Sequence, residues 1–264
     1  MRAQGRLPEL IGDRVIQLPV PGGSLTTTEA LAALHTATGL RPVGRLADAS
    51  NATFLCELEG ANPLQVIYKP IRGEQPLWDF PDGTLAGREV AAFEVSEALG
   101  LHVVPPTILR EGPAGAGAVQ LWIEHLGVQR AIDAVNGSSV SLRPIVLFDA
   151  IVNNGDRKAG HLLPISDEVI LGVDHGVTFA VEPKLRTVLW NWRSEPFLAA
   201  ERSALTRGAE LLDASAPHEL TERLRELISD IEIQALRERI NALLAAGCLP
   251  EPSPEWPALP WPLV

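Results

Sequence analysis

Cysteine is nearly absent from this 264-residue chain: Cys56 and Cys248 are the only two, and they lie far apart. Two such thiols read better as free groups in a reducing compartment than as a lone disulfide. Long apolar runs are also missing, and none approaches the roughly 18 residues that a spanning helix needs. The opening Met1-Arg2-Ala3-Gln4-Gly5 lacks the apolar core of a signal peptide. These absences predict a cytoplasmic protein without stable membrane association. Positive charge is scarce, with 22 Lys and Arg against 33 Asp and Glu and a net charge of −11. Such a balance repels nucleic acid and anionic lipid surfaces. No basic cluster is present that would dock a phosphoinositide headgroup. The motifs C-x-x-C, H-E-x-x-H, G-x-S-x-G and G-x-x-x-x-G-K-[ST] are all absent, which removes the common redox, zinc, serine-hydrolase and P-loop chemistries. The six His show no i, i+4 pairing, and there is no internal repeat or long heptad seam.

What is present is a chain 46% hydrophobic and 21% charged, with length for one or two domains and a substantial core. An irregular arm rich in Pro and Gly leads to a helix from Thr26 to about Thr38, opened by a Ser/Thr cap. Val43–Leu46 and Thr53–Leu58 read as strands around a polar turn, and Leu64–Tyr68 as a third stopped by Pro70. Trp78–Gly83 is a loop, Gly87–Leu99 a helix, Val103–Leu109 an extended segment and Ala118–Glu124 a strand. Gly127 is a candidate hinge. Beyond it come an apolar helix at Pro144–Ile151, a short strand at Val169–Val173, and helical periodicity at Phe197–Leu212. A single broad stripe runs over His218–Ala246, from Leu220 through Ile231 to Leu243. The Pro-rich tail 250–264 excludes regular helix; it is expected to pack across the second half through Trp256 and Trp261, with a docking arm as the alternative.

Two segments concentrate the chemistry. One is Asn153-Asn154-Gly155-Asp156-Arg157-Lys158-Ala159-Gly160-His161; the other is Gly172-Val173-Asp174-His175-Gly176. Each sets a carboxylate in a turn beside an apolar run, the layout of a phosphoryl-transfer site. Upstream, Val66-Ile67-Tyr68-Lys69 ends an apolar strand with an ammonium. Together with Gly-Arg-Glu-Val-Ala-Ala-Phe, Val-Val-Pro-Pro-Thr and Gln-Leu-Trp-Ile, these pieces resemble, in order, the bacterial phosphatidylinositol 3-/4-kinase-like proteins of the protein-kinase-like fold. The resemblance runs from about Gly44 to Trp192.

That resemblance implies an α+β, two-lobed protein-kinase-like fold, with a small antiparallel-sheet lobe and a mainly helical lobe. The divisions would be 1–39 (arm and helix), 40–124 (nucleotide-binding lobe), 125–249 (helical catalytic lobe) and 250–264 (tail). It implies an ATP-dependent kinase acting on a hydroxyl, with Lys69 on the nucleotide phosphates. Glu89 would be the partner of Lys69, ahead of Glu94 and Glu97. Ser50 and Asn51 would sit at the phosphate-covering tip, which lacks G-x-G-x-x-G. Gln120, Trp122 and Ile123 would lie at the adenine-contacting linker. Asp156 would orient the acceptor and Lys158 screen the transferred charge. Asp174 would hold Mg²⁺. His161 stands where the resembled kinases carry Asn, which admits Mn²⁺ because imidazole is softer than oxygen. Arg72, Arg88, Arg157 and Lys158 would converge as a local basic pocket. The acid balance favours a soluble acceptor, polyol, inositol-like or protein side chain, and leaves room for a protein partner. Two alternatives stay open: a nucleotide-binding regulatory module without turnover, and AMP transfer on the same fold.

Overall fold

In the computed structural model, which describes residues 15–46, 51–60, 63–216 and 218–264, the chain is α+β with a small antiparallel-sheet lobe and a helical lobe. It opens with a hairpin of β1 (Leu18–Val20) and β2 (Gly23–Leu25). Helix α1 (Thr27–Thr36) follows, and its start is set by a capping box. The Thr26 hydroxyl accepts from the Glu29 amide at 3.2 Å, and the Glu29 carboxylate accepts from the Thr26 amide at 2.8 Å.

A five-stranded sheet comes next. It is built from β3 (Gly39–Arg45), β4 (Phe54–Glu59), β5 (Gln65–Pro70), β6 (Thr107–Gly112) and β7 (Gly115–Leu121), in spatial order β3-β4-β5-β7-β6. Leu40, Cys56, Leu58, Val66, Tyr68, Ile108 and Val119 turn one face toward Leu34 of α1 and form the small-lobe core. Both cysteines are free, Cys56 buried in that core and Cys248 half-buried. Pro70 does not stop β5 early; it is the strand's last residue.

Helix α2 (Leu85–Ala98) lies between the lobes and is buried on nearly every side. Ala86 and Val90 meet Ala118 of the sheet, while Phe93, Val95 and Leu99 belong to the core of the helical lobe. Gly87 permits the closest approach, since a Cβ there would stand 2.6 Å from the Leu227 carbonyl oxygen. Arg88, only 1% exposed, donates to Glu232 at 2.6 Å and to the Thr178 carbonyl at 2.7 Å, and lies over the Phe80 ring at 4.7 Å. A buried guanidinium requires such partners.

The helical lobe contains α3 (Val128–Asn136), α4 (Arg143–Val152), the short pair β8 (Leu162–Pro164) and β9 (Ile170–Gly172), then α5 (Ala199–Leu211), α6 (Glu219–Arg225) and α7 (Asp230–Ala246). Gly127 precedes α3 with φ +93°, a backbone state that suits glycine. The single helix expected over His218–Ala246 is two. Ser229 and Glu232 form a capping box that starts α7 afresh, and the break leaves Ile231 62% exposed. Among the described residues no single helix is long and apolar enough to cross a membrane.

The tail packs on the helical lobe as expected, but largely by main chain and not through both rings. The Ala258 carbonyl accepts from the Thr187 amide at 3.1 Å and from the Trp190 indole at 2.9 Å, while Trp261 is 83% exposed. Trp256 does make one ring contact. Lys184, paired to Asp79 at 3.0 Å, points its ammonium at both Trp256 and Trp78.

Removing one partner of a buried ion pair strands the other, so Arg88→Ala should cost about 3–5 kcal/mol in denaturant unfolding. Arg223→Ala breaks an exposed pair to Glu94 and should cost less than about 1 kcal/mol. Equal losses for the two variants would contradict the role given to Arg88.

Candidate active site

Strand pleating directs Lys69. Val66, Tyr68 and Pro70 alternate as the buried positions of β5, so Lys69 projects to the opposite face, toward the helical lobe. Its ammonium contacts Glu89 of α2 and lies 2.9 Å from Asp174 Oδ1. The other Glu89 oxygen accepts from the His175 amide at 3.0 Å. Glu89 therefore holds both the strand lysine and the backbone next to Asp174. The competing carboxylates are elsewhere, Glu94 on Arg223 and Glu97 on His102. Asp174 itself has φ +62°, an uncommon state for a non-glycine residue, and its side chain is 52% exposed.

Beneath these groups lies Arg157, fully buried. It grips Asp149 of α4 with two bonds of 2.9 Å, donates to the Val173 carbonyl at 2.8 Å, and reaches His175 Nε2 at 2.7 Å. Asn154 also donates to Asp149, at 2.9 Å. One guanidinium thus ties α4, the Asp156 loop and the strand entering Asp174 into a single unit. Asp156 and Lys158 flank it and pair with each other at 3.0 Å, keeping side-chain exposures of 30% and 18%.

The electrostatics follow. Burial works to push the Lys69 ammonium down, but Asp174 and Glu89 outweigh it and hold its pKa well above the ordinary value. Lys69 holds the Asp174 carboxyl far below the carboxylate range, against burial. Burial and the Arg157 charge keep His175 neutral, so its Nε2 accepts from Arg157. His161 is lowered as well, chiefly by burial.

His161 Nε2 stands 3.4 Å from Asp174 Oδ2, and its Nδ1 is buried without a hydrogen-bond partner. A neutral imidazole facing a carboxylate is a suitable donor pair for one divalent ion. Among the described residues no group of three or more His, Cys, Asp or Glu would hold a metal alone. That fits an ion completed by oxygens of a phosphate ligand and water, as Mg²⁺ commonly is.

Other expected residues sit differently. Ser50 lies outside the described residues. Asn51 Oδ1 accepts from the Gln75 amide at 2.7 Å, which anchors the hairpin to the loop before α2. Gln120 is a correction. It lies inside β7, paired on one side with Ile67 and on the other with Thr107, and its side-chain amide donates to Thr107 at 2.8 Å. Its main chain and side chain are thus engaged within the sheet and not in a linker. The Trp122 amide continues the ladder to Gln65 at 3.0 Å, and the Ile123 side chain is buried with Leu18, Val20 and Leu171. The basic pocket is a second correction. Arg88 and Arg157 are buried on Glu232 and Asp149, so only Arg72 and Lys158 of the four remain near solvent.

No family model matches the chain. Protein Rv2133c of Mycobacterium tuberculosis is 42% identical over 259 residues, covering 84% of this chain and 91% of that protein. The chain belongs to the Rv2133c family. Solved structures similar to this member of the family include the Golgi casein kinase, with a TM-score of 0.52, 14% identity, and 83% of this chain and 75% of that one covered. The same kinase with Mn and ADP bound gives 0.51. Hydra Fam20 with sugar gives 0.51 at 14% identity, over 83% and 87% of the two chains. At these identities the likeness is one of fold: this chain has a kinase-like fold.

Sequence reasoning missed Asp149, and gave no chemistry to His175 and no structural role to Arg157. A signal for Asp149 existed, because a lone carboxylate inside the apolar run Pro144–Ile151 must find a cation once buried.

Lys69→Met leaves Glu89 and Asp174 facing each other without a counter-charge. In the native protein the lowered Asp174 pKa contributes stability above about pH 4, lost on further acidification. In the variant both carboxyls rise, so stability should increase as pH falls from 7 to 5. At pH 7 the loss should be about 2 kcal/mol, reduced by the solvent exposure of Asp174. Thermal unfolding across this range checks the sign, and parallel pH profiles for the two proteins would refute it.

Proposed function

We propose that this protein is an ATP-dependent phosphotransferase that moves the γ-phosphoryl group to a hydroxyl of a soluble acceptor. The observation that carries this reading is Lys69 of the small lobe held between Glu89 of α2 and Asp174 of the helical lobe. Phosphoryl transfer needs charge neutralisation and alignment more than covalent participation, and this triad supplies both across a cleft. The kinase-like fold supports it as well. The resemblance to phosphatidylinositol 3-/4-kinase-like proteins enters through the order of the motifs. It is not extended to a lipid acceptor, which a net charge of −11 disfavours.

In this reading Lys69 screens the nucleotide phosphates. Asp174 and His161 would hold Mg²⁺ or Mn²⁺, which when bound supplies countercharge for phosphate oxygens. Asp156 accepts a hydrogen bond from the acceptor hydroxyl and takes its proton as the new P–O bond forms and the bond to the β-phosphate oxygen breaks, releasing ADP. Lys158, 3.0 Å from Asp156, is placed to screen the moving charge. Ile123 and Trp122 lie at the end of the ladder where adenine would meet the main chain.

Purified protein should form ADP from ATP when given a pooled polyol and protein acceptor set. Asp156→Asn should lower the rate by about 10²–10⁴ and Asp174→Asn by at least about 10². Undiminished turnover by Asp174→Asn would sink the proposal. Pyrophosphate in place of ADP would indicate AMP transfer, and ATP binding without product a regulatory module. His161→Asn replaces the nitrogen donor with an oxygen donor. It should move the preference of ADP binding, read by calorimetry, from Mn²⁺ toward Mg²⁺; an unchanged preference would remove His161 from the metal set.

A further inference from the structure

The segment Ala258–Val264 runs along the helical lobe beside the Asp156 loop. Its carbonyls take two main-chain donors and one indole there. Ala258 accepts from the Thr187 amide at 3.1 Å and from the Trp190 indole at 2.9 Å, and Leu263 accepts from the Ala159 amide at 2.9 Å. Within the stretch, the Arg157 amide donates to the Arg186 carbonyl at 3.0 Å and the Val188 amide to the Arg157 carbonyl at 3.1 Å. Past Leu263 the segment lies over Gly160, where a Cβ would stand 3.5 Å from the Val264 carbonyl carbon.

An extended polypeptide binds such a surface by adding a strand, which needs unoccupied backbone donors and acceptors. Here the Arg157, Ala159 and Thr187 amides beside Asp156 are already used. The segment offers a poor fresh edge, because Pro260 and Pro262 have no N–H to give. A compact molecule faces no such obstacle. The carboxylates it must reach are open to solvent, Asp156 at 30% and Asp174 at 52% side-chain exposure.

We infer that Ala258–Val264 is a seated strap that closes the acceptor side of the site to extended polypeptide and reserves it for a compact hydroxyl compound, a polyol or a sugar. The inference rests on the phosphotransferase reading and narrows its acceptor.

The test uses the full chain, with and without the paired substitutions Pro260→Gly and Leu263→Gly, which loosen the strap by adding backbone freedom. ATP with Mg²⁺ or Mn²⁺ is supplied together with a panel of polyols and monosaccharides, or with a degenerate Ser/Thr/Tyr peptide library. The native chain should transfer to a polyol or sugar at least about ten-fold faster than to any peptide. The loosened chain should gain about ten-fold on peptides with the KM for ATP unchanged. Native transfer to peptides that matches or exceeds the best polyol overturns the inference. Hydrogen exchange judges the strap apart from turnover. The Thr187 and Ala159 amides should exchange slowly in the native chain and faster in the loosened one. Rapid exchange of both in the native chain refutes a seated strap whatever the acceptor. If no acceptor yields ADP, the phosphotransferase reading fails and the acceptor class with it, while slow exchange at those two amides would still uphold the closed groove.

Discussion

A buried guanidinium must be satisfied, and the candidate site is assembled around that requirement. Arg157 has no access to water, and the energetic penalty of leaving it unpaired exceeds that of almost any local rearrangement. Its five donors are met by Asp149, by the Val173 and His161 carbonyls and by His175. These partners come from three stretches of chain: α4, the Asp156 loop and the segment around Asp174. Satisfying one side chain therefore fixes where the Asp156 loop lies relative to the strand that delivers Asp174. His175 must be neutral to accept from it, which is why a histidine rather than a lysine or arginine suits that position.

The small lobe is aligned by a different device. Helix α2 carries Glu89 and is buried against both lobes, with Arg88 and Gly87 locking it to the helical side. A helix that could swing outward would carry Glu89 away from Lys69. Here such a swing would expose Phe93, Val95 and Leu99 and unpair Arg88 from Glu232. The ion triad of Lys69, Glu89 and Asp174 is thus the visible end of a packing arrangement that extends to α7.

Much of this was legible in the sequence, for reasons that differ by element. Lys69, Asp156 and Asp174 stand at junctions between apolar runs and turns, and local pattern places such residues well. Glu89 could be preferred over Glu94 and Glu97 only through the Gly-Arg-Glu-Val-Ala-Ala-Phe motif, since all three lie on one helix. Gln120 was misplaced because an alternating strand does not announce where it leaves the sheet. The break before α7 was hidden by a hydrophobic stripe that continues in phase across it, although Ser229 and Glu232 carry a capping signature. Asp149 and Arg157 were illegible as a pair, because eight residues of separation say nothing about a contact made inside a core.

One compositional fact acquires meaning from the fold. The chain has three lysines, Lys69, Lys158 and Lys184. The first spans the cleft, the second flanks Asp156, and the third is pinned to Asp79 between the rings of Trp78 and Trp256. Their side chains are 21%, 18% and 10% exposed. On most proteins an amine-reactive reagent or an acyl-transferring metabolite is absorbed by scattered surface lysines. This protein has no such buffer: apart from the chain's own α-amino group, every amine that acylation could neutralise sits at the cleft or on the segment leading away from it.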